Sequence, residues 1–252
     1  MRDPQKIRLR EQPLSRVLPN MITLAGMCCG LSSIRFAINE RWELAVAFII
    51  AAAVIDGMDG RVARLLGATS EFGAQLDSLS DFVCFGVAPA LVMYIWLLHD
   101  IRGIGWAVTL FYVICASLRL ARFNTALTTT PKNAWANQFF TGVPSPAGGV
   151  LCLLPLIVYL QTETYSLPPA LIACHMVMVG ALMASRIPTF AGKNLRLPHE
   201  HLLPFMITAC FLLVLLFIEP WLMISLLSVG YVISIYFSLR RYKKLANKTT
   251  SA

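Results

Sequence analysis

Apolar residues run along this chain in long unbroken stretches, neither alternating nor confined to one helical face. Stretches near 20 residues recur from end to end, each long enough to cross about 30 Å of hydrocarbon as a helix. Cut at their polar breaks, they predict eight helices at about 17–38, 42–66, 71–98, 103–124, 143–160, 166–184, 201–218 and 220–238. The expected fold class is all-α: a polytopic membrane bundle of about eight transmembrane helices in one domain over residues 1–252, with a basic N-terminal segment at 1–16 and a basic tail at 239–252. Leu24-Ala25-Gly26-Met27-Cys28 resembles a lipoprotein cleavage site with its cysteine one residue late. The segment reads as a retained first span.

Composition agrees with this pattern. Charged residues make up 13% of the chain against 57% hydrophobic, whereas a soluble domain carries about 25% charged residues. A water-facing surface would be under-supplied, which argues against a cytosolic globular enzyme. The basic residues then set an orientation. With an even number of spans, eighteen of the 21 Lys and Arg fall on one side, from Arg2 to Arg16 through Arg61, Arg64, Arg119, Arg122, Lys132, Arg186, Lys193 and Arg196 to Arg240–Lys248. Arg41 and Arg102 remain opposite, with Arg35 near that end of the first span. The positive-inside rule places both termini in the cytoplasm. The net charge of +8 is spread over every inner loop without an aromatic-basic module, so it reads as topology and attraction to anionic membrane lipid; no nucleic acid is expected.

Four aspartates change the picture. Asp56 and Asp59 lie three apart at the inner end of the second predicted helix, and Asp77 and Asp81 four apart on the third, so each pair shares a helix face. Adjacent antiparallel helices would aim all four at one another. A carboxylate at membrane depth costs about 2.5 to 3.5 kcal/mol on insertion scales, so a cation has to offset the cluster. Hard divalent ions take oxygen ligands, and carboxylate-held metal pairs serve reactions at phosphorus. Gly60, Gly73 and Ala63 leave room for a bulky ligand, and Arg64 stands two turns beyond Asp56, where it can meet a phosphate. Two plainer readings stay open: carboxylates paired with Arg61, Arg64 or Arg119 as interhelical glue, and an ion path in a transporter.

Asp56-x-x-Asp59-Gly60-x-x-Ala63-Arg64, then eight residues to Gly73, three to Asp77 and three to Asp81, resembles the signature of the CDP-alcohol phosphotransferase family at every fixed position. Ser70–Leu79, Phe85–Ala90, Arg119–Asn124, Gly142–Pro146 and Ser185–Thr189 further resemble the integral-membrane phosphatidylserine synthases within it. The resemblance implies transfer of a phosphatidyl group from CDP-diacylglycerol to L-serine, with release of CMP. It implies Mg2+ or Mn2+, two ions, on Asp56, Asp59, Asp77 and Asp81, with Asp81 also the catalytic base. It implies a CDP-diacylglycerol site at Asn20, Thr23, Asp56, Gly60, Ala63, Arg64 and Gly73, and a homodimer in the cell's inner membrane with its active site facing the cytoplasm. Serine's carboxylate calls for a cation, and Arg119, Arg122, Arg186 and Lys193 are the candidates. Relatives acting on glycerol phosphate, an inositol derivative or choline would keep the same aspartates.

The remaining motifs predict little chemistry. The seven cysteines are odd in number and lack a C-x-x-C pair, which suggests packing rather than disulfides or zinc. His199-Glu200-His201 is not a zinc-binding helical spacing. Ser145, between two prolines with no histidine nearby, reads as a turn residue. Gly26 and Gly30 form G-x-x-x-G, suited either to a dimer contact or to close packing within one chain.

Overall fold

The computed structural model describes residues 14–127, 139–162, 167–190 and 202–250. Helices form along the apolar stretches: α1 (Leu14–Ile38), α2 (Trp42–Leu65), α3 (Glu71–Asp81), α4 (Ala88–Trp96), α5 (Arg102–Leu127), α6 (Ser145–Thr162), α7 (Pro169–Ala184), α8 (Leu202–Ile218) and α9 (Pro220–Thr250). A π-helical segment, Phe82–Val87, joins α3 to α4, so the third predicted helix is one element with an altered middle. The expected all-α architecture holds. Among the described residues, five stretches are long and apolar enough to cross a membrane: Val17–Ile38, Glu71–Trp96, Leu98–Thr125, Ser145–Thr162 and Pro220–Arg241. Of the others, α2 carries Asp56, Asp59, Arg61 and Arg64 in its last turns, while α7 and α8 have 16 and 17 residues.

Two features depart from the predicted pattern. Phe139–Thr141 (β1) and Pro188–Phe190 (β2) form an antiparallel pair with Phe140 opposite Thr189; strands of three residues are too short to leave a periodic signal. They tie the α5–α6 connection to the α7–α8 connection, helped by Gly142 N donating to Ile187 O at 2.8 Å and Thr189 Oγ1 donating to Gly142 O at 2.9 Å. Gly142 has φ +82°, a conformation that glycine adopts without a Cβ clash. The second departure is α9, which runs to Thr250, well past its predicted end at 238. Basic residues and alanine sustain a helix, so leaving the apolar stretch does not end it.

Helix ends of opposite sense converge on one side of the bundle. Thr23 of α1 meets Asp59 of α2, Arg119 of α5 meets Ser145 of α6, and Arg122 reaches the end of α7. Ser238 of α9 donates to Pro188 O at 2.8 Å. The other side holds Asp100 beside His99 at 3.3 Å and Gln161 beside Glu219 at 3.5 Å. The aromatic pairs Trp96–Tyr159 and Tyr94–Trp106 lie toward that second end, with ring centroids 5.6 and 5.2 Å apart. Between the two ends Ile49, Phe85, Met93, Tyr112, Leu156 and Met176 are fully buried. Leu203, Ile207, Phe211 and Phe217 of α8 remain exposed, an apolar surface suited to lipid.

The G-x-x-x-G pair of α1 serves packing within the chain. A Cβ on Gly26 would stand 3.3 Å from Ile55, and one on Gly30 would stand 2.6 Å from Cys84 Sγ and 3.0 Å from Cys84 Cα. Cys84 Sγ in turn donates to Gly26 O at 3.3 Å. Just past the π segment that carries Cys84, Pro89 of α4 brings no N–H to the Phe85 carbonyl four residues earlier. The buried Tyr112 hydroxyl donates to that carbonyl at 3.1 Å. A Gly30→Leu change should therefore force α1 off the π segment and destabilise the protein by about 1 to 3 kcal/mol, the range for overpacking. Gly103, where a Cβ would meet nothing within 4 Å, should accept Ala with little effect. Thermal melts of both variants in detergent check this contrast, and equal melting temperatures would refute it.

Candidate active site at the junction of α1, α2 and α3

The turn between α2 and α3 is specified residue by residue. Gly67, at φ +58°, ends α2: its N–H bonds to Arg64 O at 3.3 Å, and Ala68 N bonds to Ala63 O at 2.9 Å, the paired bonds of a Schellman cap. Three residues later Ser70 caps α3, its hydroxyl accepting from Gly73 N at 3.0 Å. Stop and start signals this close leave a short link, so α2 and α3 lie antiparallel with their aspartates adjacent.

Asp56, Asp59 and Asp77 each bring a ligand oxygen within 4.8 Å of the others. Asp59 is buried, at 5% exposure, and accepts from the Thr23 hydroxyl at 2.8 Å. That hydroxyl also lies 3.1 Å from Pro19 O, within its own helix. Asp81 stands one turn beyond Asp77 and faces Asp56. It is not part of the three-residue group, and its Oδ1 is buried without a hydrogen-bond partner among the described residues. Ser80 Oγ donates to Thr23 O at 3.3 Å and fixes α3 against α1. Four carboxyl groups converge as the spacing predicted, three of them as one tight set.

A cavity of about 460 Å³ opens beside this set. Asn20, Thr23, Gly60, Ala63, Arg64 and Gly73 all line it, together with Asp59 and Asp77. Six of the seven residues expected to hold the nucleotide lipid thus surround one space; the seventh, Asp56, lies behind it among the buried carboxylates. The small residues have a visible reason. Gly60 has no neighbour within 4 Å of a Cβ position, so its lack of a side chain keeps the cavity open, while a Cβ on Gly73 would stand 3.0 Å from Asn20 Oδ1. Arg64 Nε donates to Gly60 O at 3.0 Å, which leaves its terminal nitrogens for a ligand.

The cationic candidates separate. Arg119 lies within electrostatic reach of both Asp56 and Asp81, and one of its terminal nitrogens donates to Ser145 Oγ. Its Nε is buried without a partner among the described residues. Arg122 instead donates through one terminal nitrogen to Ala184 O at 2.8 Å and Ser185 O at 3.2 Å, clamping the end of α7. Arg186 is exposed. Lys193, like Lys132 and residues 1–13, lies outside the described residues.

Ser145, read in the sequence as a turn residue but opening α6, and Tyr231, which the sequence did not single out, stand at this site. Ser145 is buried and holds Arg119; its flanking prolines mark a turn but give no sign of the arginine. Tyr231 of α9 lies within electrostatic reach of Arg119, inside a helix whose pattern is that of a plain membrane span. No local signal could have found it.

The sequence model of the CDP-alcohol phosphatidyltransferase family matches residues 16–184. A CDP-diacylglycerol–serine O-phosphatidyltransferase of Mycobacterium leprae is 37% identical over 232 residues, covering 92% of this chain and 77% of the relative. A Bacillus subtilis protein of the same description is 37% identical over 183 residues, 71% of this chain and 95% of its own length. An archaetidylserine synthase of Methanothermobacter thermautotrophicus is 36% identical over 172 residues, 68% of each chain. With the matched region spanning α1 to α7 and holding every aspartate of the cluster, the chain belongs to the CDP-alcohol phosphatidyltransferase family.

Proposed function

We propose that the protein transfers the phosphatidyl group of CDP-diacylglycerol to the hydroxyl of L-serine, yielding phosphatidylserine and CMP. The observation that carries this reading is the cavity of about 460 Å³, which sets Asn20, Thr23, Gly60, Ala63, Arg64 and Gly73 around the edge of the carboxylate cluster. The relatives' descriptions support serine as acceptor, since bacterial and archaeal ones alike contain it.

The donor set fits hard divalent cations: three carboxylates close together and no sulfur or nitrogen ligand among them. Asp56, Asp59 and Asp77 are the proposed holders of two Mg2+ or Mn2+ ions, with Asp81 able to contribute. Bound there, the ions would offset pyrophosphate charge and stabilise the phosphoryl oxygens during transfer. Thr23 holds the Asp59 carboxylate in place. Arg64 steadies the cytidine diphosphate, and the glycines admit it. Asp81 accepts the serine proton as the serine oxygen bonds to phosphorus and the bond to the CMP oxygen breaks. A serine hydroxyl is a weak acid, so a base within hydrogen-bond reach is needed at that moment. Of the four cationic candidates for the serine carboxylate, Arg119 is favoured by its buried Nε and its place beside Asp81. Arg122, Arg186 and Lys193 remain candidates for the rim.

We place this chemistry in a single domain of eight spans in the inner membrane, with both termini and the active site in the cytoplasm. The basic-residue bias supports it, as does the gathering of α1, α3 and α6 N-terminal ends with α2, α5 and α7 C-terminal ends on one side. A homodimer is retained from the family resemblance. Gly26 and Gly30 face their own chain, so its contact surface lies elsewhere.

Purified protein with CDP-diacylglycerol, Mn2+ or Mg2+ and a panel of alcohols should release CMP with serine in preference to glycerol phosphate, inositol or choline; a different preferred alcohol would overturn the acceptor assignment. Chelation should abolish the activity and either ion restore it, and Asp56→Asn, Asp59→Asn and Asp77→Asn should each be nearly inactive. Full activity in EDTA would return the cluster to interhelical glue. Asp81→Asn should still bind CDP-diacylglycerol but turn over about 10² to 10⁴ more slowly, the range for losing a general base; unchanged turnover would remove Asp81 from that role. On a Cys-free background, Asp100→Cys and Glu219→Cys should label from outside and Lys244→Cys from the cytoplasm. Outside labelling at 244 would break the even span count.

A further inference from the structure

Four side-chain polar atoms are buried without a hydrogen-bond partner among the described residues: Asp81 Oδ1, Arg119 Nε, Tyr231 Oη and Ser225 Oγ; the first three are linked through Arg119. The large majority of buried side-chain polar atoms in folded proteins are paired, so three linked through one arginine mark a place that a polar ligand completes. Arg119 stands within electrostatic reach of both others. The polar neighbours of Arg119 and Tyr231 bond elsewhere. Ser145 takes a terminal nitrogen of Arg119, not Nε. The Thr189 hydroxyl beside Tyr231 donates to Gly142 O and could only accept from Tyr231, but no hydrogen bond of normal geometry joins the two. On α9 itself, Ser228 and Ser234 bond back to Ile224 O and Tyr231 O, each at 2.7 Å.

The chemistry of the three atoms specifies the ligand. Arg119 Nε–H and the Tyr231 hydroxyl can both donate, and two such donors suit the two oxygens of a carboxylate. Asp81 Oδ1 accepts, and suits a hydroxyl. A small alcohol bearing a carboxylate fits all three; an amino alcohol without one leaves the donors unpaired.

Resting on the serine reading above, we propose that Tyr231 determines acceptor specificity, its hydroxyl joining Arg119 to bind the carboxylate of the incoming alcohol. Asp81 and Arg119 lie within the matched family region at 16–184, whereas α9 lies beyond it. Recognition of the carboxylate is thus completed by a helix outside the part of the fold that holds the metal-binding motif.

Full-length protein and its Tyr231→Phe variant, assayed in detergent with CDP-diacylglycerol and Mn2+, test this directly. The KM for serine should rise about ten- to hundredfold, the factor corresponding to a lost hydrogen bond to a charged group, while the KM for CDP-diacylglycerol stays unchanged. The kcat/KM ratio of serine over ethanolamine, which lacks the carboxylate, should fall by the same factor. A serine KM within twofold of the parent's overturns the proposal, as does a change confined to kcat or melting temperature with the ratio preserved. Absence of CMP release with serine by the parent protein would instead remove the underlying function; a serine-active parent with an indifferent Tyr231→Phe variant removes this inference alone.

Discussion

Three carboxylates with oxygens within 4.8 Å of one another, at helix ends that border hydrocarbon, repel one another and lose hydration on burial. The rest of the site reads as the structure that holds them there. Thr23 donates to Asp59, Ser80 ties α3 to the α1 carbonyl of Thr23, and the π segment beyond Asp81 wedges Cys84 against Gly30. These contacts make α1 a brace for α2 and α3. Its small residues are needed because two helices bearing like charges will separate unless a third holds both.

The same repulsion accounts for the division between the two sides of the cluster. Toward α1 the carboxylates border a cavity fringed by glycine, alanine and Arg64, wide enough for a charged, phosphorylated ligand. Toward α5 and α6 stands Arg119, half-buried and supported by Ser145. On the proposed function, the lipid-linked donor takes the cavity side of the carboxylates and the small polar acceptor the Arg119 side. Arg122 and the β1–β2 pair hold the connections that frame the second approach.

The local part of this arrangement was legible in the sequence. Helix positions followed from apolar stretches because a membrane span has a minimum length, and the four aspartates followed from spacing because residues three and four apart share a helix face. The caps at Gly67 and Ser70 that turn α2 back toward α3 were not read from the sequence and come from the structure. The nonlocal part was not legible. In the π segment, Phe85 O takes its hydrogen bond from the Tyr112 hydroxyl of another helix. The strand pair joins residues that are far apart in the chain. Arg122 has the same sequence credentials as Arg119, and only packing shows that one clamps a helix end while the other faces the carboxylates.

Tyr231 shows where such reading stops and why. Its neighbours on α9 are those of an ordinary span, and a tyrosine there has an ordinary explanation as an interfacial aromatic. What distinguishes it is a hydroxyl left unpaired at depth beside an arginine from α5 whose own Nε is unpaired. Either orphan alone would be a local defect in packing. Together with Asp81 Oδ1 they form two donors and an acceptor, a pattern that complements a hydroxy acid. A family sharing one acidic motif can change its alcohol without disturbing the phosphoryl chemistry if the residues reading the alcohol stand on separate helices, and on the proposal above α9 is a helix of that kind.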